Sequence, residues 1–199
     1  MAQLLLTRGK DQNAQFQQLP GRPDVPTFSL CLLLPKPIEL SHESRTKVLN
    51  LDQFDEIVFI SKNAVAYGVP QLEQYWPQWP ISLRWFAVGA TTASALLDQG
   101  IDSEYPDIAS SEGLLALPSL RQVDGHRTLI VRGVGGRETL KQGLRQRGAQ
   151  VEYLEVYERN VQYYAAHDFP MGSDVVALLY SGEAIAHLFE LIGKQALQY

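Results

Sequence analysis

The apolar residues of this chain fall into short strand-like runs, each followed by a polar or glycine turn and then by a stretch of helical period. The fullest example runs from Thr128 to Asn160. Thr128 to Val131 is a largely β-branched run, and Arg132 to Gly136 is a glycine-rich turn. Arg137 to Arg147 has helical spacing, with Leu140 and Leu144 at i, i+4 and basic residues in the last turn, and Gly148 stops it. Beyond that, Val151, Tyr153, Glu155 and Tyr157 alternate with Glu152, Leu154 and Val156, so strand period sets Tyr157 on the side of Val151 and Tyr153.

Taken in order, Leu4 to Thr7 predicts a strand, Asp11 to Leu19 a weak polar helix, and Pro20, Gly21, Pro23 and Pro26 a break. Phe28 to Leu34 predicts a second strand, made stiff and extended beyond its end by Pro35 and Pro37. Ser41 is placed to cap a helix running to about Leu51. Ile57 to Ile60 predicts a strand, Ser61-Lys62-Asn63 a turn, and Ala64 the start of a helix interrupted by Pro70. Trp85 to Val88 predicts a strand, and the segment from Trp76 to Pro80 before it a loop. Gly89 to Thr92 follows as a turn, and Ala93 to Gln99 as a helix stopped by Gly100. Glu112 to Leu120 predicts a short helix, Asp174 to Tyr180 a last strand, and Glu183 to Leu191 a last helix after the Ser181-Gly182 turn. The strand–turn–helix unit recurs five times, which predicts an α/β fold with largely parallel sheets and a ligand site at the carboxyl ends of the strands.

Some units resemble each other. Leu4-Leu5-Leu6-Thr7-Arg8 matches Leu129-Ile130-Val131-Arg132-Gly133, and FISKNAV from Phe59 matches LYSGEAI from Leu179. This is the pattern of an internal duplication. AVGATTA, Ala87 to Ala93, has no second copy before Tyr199, so a further C-terminal piece or an unusually short second half is expected.

Composition narrows the class without naming it. The 199 residues are 45% hydrophobic and 20% charged, as in a globular protein with a substantial core. A formal charge of −5 speaks against nucleic acid but leaves room for a small anion held by local donors. The single cysteine, Cys31, lies in an apolar run and reads as a buried, inert thiol. No apolar run approaches the ~20 residues of a membrane span. The expectation is a cytoplasmic protein without membrane attachment.

Most standard site motifs fail. Gly133 and Gly135 begin a dinucleotide fingerprint, but its third glycine position is Glu138. No strand end carries the aspartate of a phosphoacceptor, no serine sits in a nucleophile elbow, and the four histidines have no metal-ligand spacing. What remains is a rim of small hydroxyls, backbone donors and cations at the strand ends: Thr7, Arg8, Ser61, Lys62, Asn63, Thr91, Thr92, Arg132 and Gly133. Each alone reads more often as a cap or a solvated turn than as a ligand contact. Their recurrence at one end of the units, with N–H groups at helix starts, also fits an anionic ligand. Tyr157 reads either as an amphipathic aromatic at a strand end or as a phenol donating a hydrogen bond.

LLLTR, VFISKNAV, AVGATTASALLDQG, SEGLL, RGVGGRETLKQGLRQRG and VEYLEVYERN, in this order and spacing, resemble the uroporphyrinogen-III synthase family over essentially the whole chain. The resemblance implies two flavodoxin-like α/β lobes with mainly parallel sheets, joined by a two-stranded extended linker. The first lobe would be discontinuous, residues 1–35 with 162–199, and would lack its C-terminal part. The second would span 41–155, with crossings at 28–40 and 154–163. It further implies a cyclizing lyase of heme biosynthesis that closes the linear tetrapyrrole hydroxymethylbilane to uroporphyrinogen III, inverting the last pyrrole ring and losing water. Such an enzyme needs no cofactor or metal and works as a monomer, with transient contact to the preceding pathway enzyme.

By the same resemblance, Tyr157 assists departure of the hydroxyl. Arg8, Ser61, Lys62, Asn63, Thr92, Arg132, Gly133 and Ser181 would bind substrate. Two departures stand out: Ile60 replaces a common threonine, and the family's second glycine-threonine motif does not occur before Tyr199. The residues themselves leave open a non-catalytic two-lobed binder of a small polyanion. A receiver-type interaction domain would need the acidic phosphoacceptor that the strand ends lack.

Overall fold

Parallel α/β architecture is what the chain forms. The computed structural model describes residues 2–170 and 174–196, so residues 1, 171–173 and 197–199 of the expected first-lobe range lie outside the described residues. Its elements begin with β1 (Gln3–Leu6), α1 (Lys10–Gln17), β2 (Thr27–Ser29), β3 (Leu33–Pro37), α2 (His42–Leu49), β4 (Glu56–Phe59) and α3 (Lys62–Glu73). They continue with β5 (Arg84–Ala87), α4 (Ala90–Leu97), α5 (Ser111–Ala116), β6 (Arg127–Gly133), α6 (Thr139–Gln146), β7 (Gln150–Val161), β8 (Val175–Leu178) and α7 (Gly182–Ala196). The chain divides into two compact units: a central one, Lys36–Glu158, and a terminal one combining Met1–Pro35 with Arg159–Tyr199.

In the central unit, β7, β6, β4 and β5 lie side by side in that order and all run parallel. β3 takes the edge beside β7. The Ile38 N–H donates to Val156 O and the Gln162 N–H to Leu32 O, which sets these two strands in opposite senses. Helices cover both faces, as a buried parallel sheet requires. On one face, Val48 of α2, Val65, Val69 and Leu72 of α3 and Ala93 and Leu96 of α4 pack on Ile57, Phe59, Leu129, Val131, Leu154 and Val156. On the other, Leu114 of α5 and Leu140 and Leu144 of α6 pack on Val58, Phe86, Ile130 and Val151. A methyl at Gly68 would lie 2.8 Å from Val131 Cγ1, so α3 approaches the sheet as closely as a glycine allows.

The terminal unit holds a three-stranded parallel sheet in the order β2, β1, β8. Leu5, Leu30, Leu32, Ala184, Leu188 and Leu191 form its core.

Several local expectations need correction. The run Phe28 to Leu34 is two strands, because Leu30 and Leu32 leave the ladder to enter the core. Pro35 and Pro37 then sit inside β3, where an edge position needs no N–H from either. Pro70 does not interrupt α3; it and Ala66, whose carbonyl loses a partner, are both exposed to water. Pro118 does end a helix, dividing Glu112 to Leu120 into α5 and a 3-10 turn at Pro118–Leu120. α4 begins at Ala90, which moves Thr91 and Thr92 from a turn into the first helical turn. Arg132 and Gly133 belong to β6 rather than to a turn, and α6 starts only at Thr139. Gly100 and Gly148 terminate their helices with φ of 74° and 88°, as their spacing predicts.

Candidate functional site

The connections of the central unit leave β4 in opposite directions: β5 lies on one side of it and β6 on the other. The carboxyl ends of β4 and β6 therefore flank a topological switch point, where sheets of this kind leave a crevice for ligands. Ser61 follows β4 and Gly133 ends β6. β7, next to β6, brings Tyr157 to the same place.

Ser61 is the N-cap of α3 because its side chain can accept an N–H that the first helical turn leaves unsatisfied, here that of Ala64 at 3.0 Å. The same Oγ lies 3.1 Å from the Tyr157 hydroxyl, and either atom can donate. The two hydroxyls, 96 residues apart in sequence, thus share a hydrogen bond at the switch point. The rest of Tyr157 is core. Only 2% of it is exposed, and its ring lies 5.7 Å from that of Tyr67 on α3.

That placement contradicts simple alternation. Arg132 pairs with Glu155, but Gly133 pairs with Tyr157, so the register skips Val156. The irregularity is a β-bulge, and it sends Val156 and Tyr157 to the same face, both among the residues packed under α3. Val151 and Tyr153, with which strand period grouped Tyr157, pack on the opposite face. The Val134 N–H donates to Tyr157 O at 2.8 Å and closes the bulge.

Arg132 points to that opposite face and is 2% exposed. Its Nε donates to Gly133 O at 3.1 Å and its Nη1 to Glu138 at 3.2 Å. Its guanidinium lies 4.3 Å above the Tyr153 ring, and the Lys141 ammonium lies 4.1 Å from the same ring centre. Tyr153 in turn donates its hydroxyl to Glu138 at 2.9 Å. Burial, reinforced by this bond to a carboxylate, pushes the Tyr153 pKa up to about 12. The Tyr153 hydroxyl, followed by the charge of Arg132, holds Glu138 below the usual carboxylate range. Arg132 is thus engaged inside the protein instead of standing at the rim.

Lys62 and Thr91 line an open depression of about 290 Å3 between the starts of α3 and α4, together with Ala90, Ser94, Ala95 and Asp98. Asn63 is half-buried in the first turn of α3. Thr92 is buried, and its N–H bonds back to Gly89 O. A second depression of about 310 Å3, at the start of β6, is lined by charged groups such as Lys47, Arg127 and Glu152 that already pair with one another or with neighbours. In the terminal unit, Thr7 donates to Leu178 O at 2.5 Å, Ser181 accepts the Ala184 N–H at 3.1 Å, and the exposed Arg8 lies 4.6 Å over the Tyr180 ring. Asn13, which sequence reasoning passed over, is buried behind them and exchanges hydrogen bonds with the Arg8 backbone.

Also missed was a cluster at the opposite ends of the strands. Asp55, Glu56 and His126 offer ligand atoms within 4.8 Å of one another. Glu56 is fully buried, however, and its carboxylate already takes the Arg84 guanidinium, His126 Nδ1 at 2.7 Å and Thr128 Oγ1 at 2.8 Å. With a guanidinium inside it, the donor set is a satisfied ion-pair network and not an open cation site. Among the described residues, no helix is long and apolar enough to cross a membrane.

Comparison with known proteins bears on family and fold. The family model for uroporphyrinogen-III synthase HemD matches residues 27–198. The uroporphyrinogen-III synthase of Salmonella typhimurium is 38% identical over 151 residues, 73% of this chain and 61% of that protein. The one from Proteus mirabilis is 40% identical over 127 residues, 63% of this chain and 64% of that protein. The chain therefore spans about three fifths of the length of these curated relatives. Among solved structures, a mutant uroporphyrinogen III synthase from Thermus thermophilus matches with TM-score 0.60 and 19% identity, over 81% of this chain and 64% of that one. The enzyme from Helicobacter pylori matches with TM-score 0.54 and 15% identity, over 96% of this chain and 89% of that one. At such identities the structures speak for the mixed α/β fold, while the family model and the closer sequences carry the assignment: the chain belongs to the uroporphyrinogen-III synthase family.

Proposed function

We propose that this protein acts on hydroxymethylbilane as its family relatives' name implies, closing the linear tetrapyrrole to uroporphyrinogen III with loss of water. The observation that carries the reading is the Ser61–Tyr157 hydroxyl pair at the switch point of a chain that belongs to this family. In this role Tyr157 donates a hydrogen bond to the departing hydroxyl, which leaves as water once it has gained a proton. Ser61 orients the phenol and also caps α3. Departure of the hydroxyl leaves an electron-poor methylene, which the substituted α-carbon of the last pyrrole attacks to give a spiro intermediate. The bond from that carbon to its original bridging methylene then breaks and re-forms at the ring's other α-carbon, whose hydrogen is released as a proton and balances the one taken up by the departing water. Catalysis is mainly positioning, since the free bilane closes unaided to the type I isomer.

Within the central unit, substrate carboxylates are met by Ser61, Lys62, Asn63, Thr92, Arg132 and Gly133; on the terminal unit, taken by itself, Arg8 and Ser181 are the candidate contacts. Arg132 contributes a fixed charge, with its Nε held by Gly133 O and its Nη1 by Glu138. In the same reading the units are flavodoxin-like lobes, residues 1–35 with 162–199 and residues 41–155, joined by extended crossings at 28–40 and 154–163. The protein works as a cytoplasmic monomer without cofactor or metal, and touches the preceding pathway enzyme only transiently. The test is isomer analysis: freshly made hydroxymethylbilane yields type III product well above the spontaneous type I background. Binding of the bilane with only type I product leaves a non-catalytic polyanion binder.

A further inference from the structure

We infer that the bulge at Val156–Tyr157, together with Gly133 opposite it, is a positioning device that turns Tyr157 onto the α3 face and seats its hydroxyl on Ser61. The inference rests on the proposed catalytic role of Tyr157, but it reassigns Gly133 from ligand donor to positioning residue.

Three observations converge. First, without the skipped residue, Gly133 would pair with Val156, and period 2 would aim Tyr157 at the face of Tyr153, away from Ser61. The bulge adds one residue and re-aims the side chain, which is the use such irregularities have beside functional sites. Second, Gly133 is glycine for space. Its φ is not positive, so the backbone would accept alanine. A methyl there would lie 2.5 Å from Cζ and 2.6 Å from Cε2 of the Tyr157 ring, closer than non-bonded carbon atoms approach. The phenol rests on the Gly133 backbone at the end that carries its hydroxyl. Third, the Tyr67 ring at 5.7 Å flanks Tyr157, and the Val134 N–H fixes its carbonyl. The ring is held by Gly133, Tyr67 and the closed bulge, and the direction of its hydroxyl is set by Ser61.

The test combines Gly133→Ala, Tyr157→Phe and their double variant, each assayed for type III product. Loss of a group that assists the departing hydroxyl lowers kcat by on the order of 10²-fold. Gly133→Ala is expected to lower kcat by a comparable factor with KM little changed, and to add almost nothing in the Tyr157→Phe background, where no hydroxyl remains to misplace. Equal factors in both backgrounds, or full activity in Gly133→Ala, overturn the proposal.

A readout free of substrate separates this outcome from failure of the enzyme reading. With tyrosine carrying 13C at Cζ placed at position 157, Gly133→Ala moves the resonance as Ser61→Ala does. An unmoved resonance overturns the positioning, whatever the activity. If Gly133→Ala does not fold, Tyr67→Leu removes the flanking ring without adding bulk and is expected to lower kcat while sparing KM. Unchanged kcat in that variant removes the seat from the mechanism.

Discussion

Ser61 performs two tasks with one oxygen, and this double use has a measurable cost when the oxygen is removed. Ser61→Ala loses the N-cap of α3, worth about 1 kcal/mol. It also loses the hydrogen bond to the buried Tyr157 hydroxyl, worth a further ~1 kcal/mol. The central unit should therefore lose about 2 kcal/mol, which with a urea slope of about 2 kcal/mol per molar lowers the midpoint by ~1 M. The control is Ser41→Ala. Ser41 caps α2 in the same way, through the Ser44 N–H, but is exposed, and among the described residues its side chain makes only local bonds to Ser44. It should shift the midpoint by no more than ~0.5 M.

The assay is fluorescence-monitored urea unfolding, since Trp76, Trp79 and Trp85 all lie in the central unit and report on it alone. In a Tyr157→Phe background, Ser61→Ala should cost only the cap, leaving a coupling of about 1 kcal/mol between the two hydroxyls. If Ser61→Ala costs the same in both backgrounds, or no more than Ser41→Ala, the hydroxyl pair contributes nothing to the native state.

Two further outcomes follow from packing and electrostatics. Gly68 and Gly143 are both helical, so alanine at either gains up to ~1 kcal/mol in propensity. At Gly68 the methyl meets Val131 and Phe59 in the closed core and should cost about 1–3 kcal/mol, a net loss, whereas at Gly143 the atoms nearest it belong to the half-buried Leu115 side chain, which can rotate. Unfolding midpoints of the two variants should thus differ in sign or at least clearly in size. For Tyr153, whose pKa is raised from 10.0 to about 12, the neutral phenol is the form the fold prefers. Its contribution is complete below pH ~10 and is lost as pH rises toward ~12, so alkaline stability should fall across that window. Glu138→Gln should lower the Tyr153 pKa without returning it to normal, because burial remains. Tyrosinate absorbance of the variant against Tyr153→Phe measures it, and an unchanged titration would remove Glu138 from the cause.

Local physical chemistry was legible in the sequence wherever the outcome depends on a residue and its neighbours within a turn or two. Ser41 and Ser61 cap their helices, Gly100 and Gly148 end theirs, and alternating strand and helix periods identify a parallel α/β chain. Ordered motifs such as AVGATTA and VEYLEVYERN were enough for the family. Tertiary structure alone decided what depends on pairing between distant segments. Pro70 stays in α3 because its face is exposed, and Glu56 meets His126 only because β4 lies against β6. Arg132 looks like a turn residue until β6 extends through it and buries it against Tyr153. The face on which Tyr157 stands was beyond any periodic reading. Strand period is a property of one segment, whereas register is a property of two, and a single skipped residue opposite Gly133 reverses the side to which the phenol points.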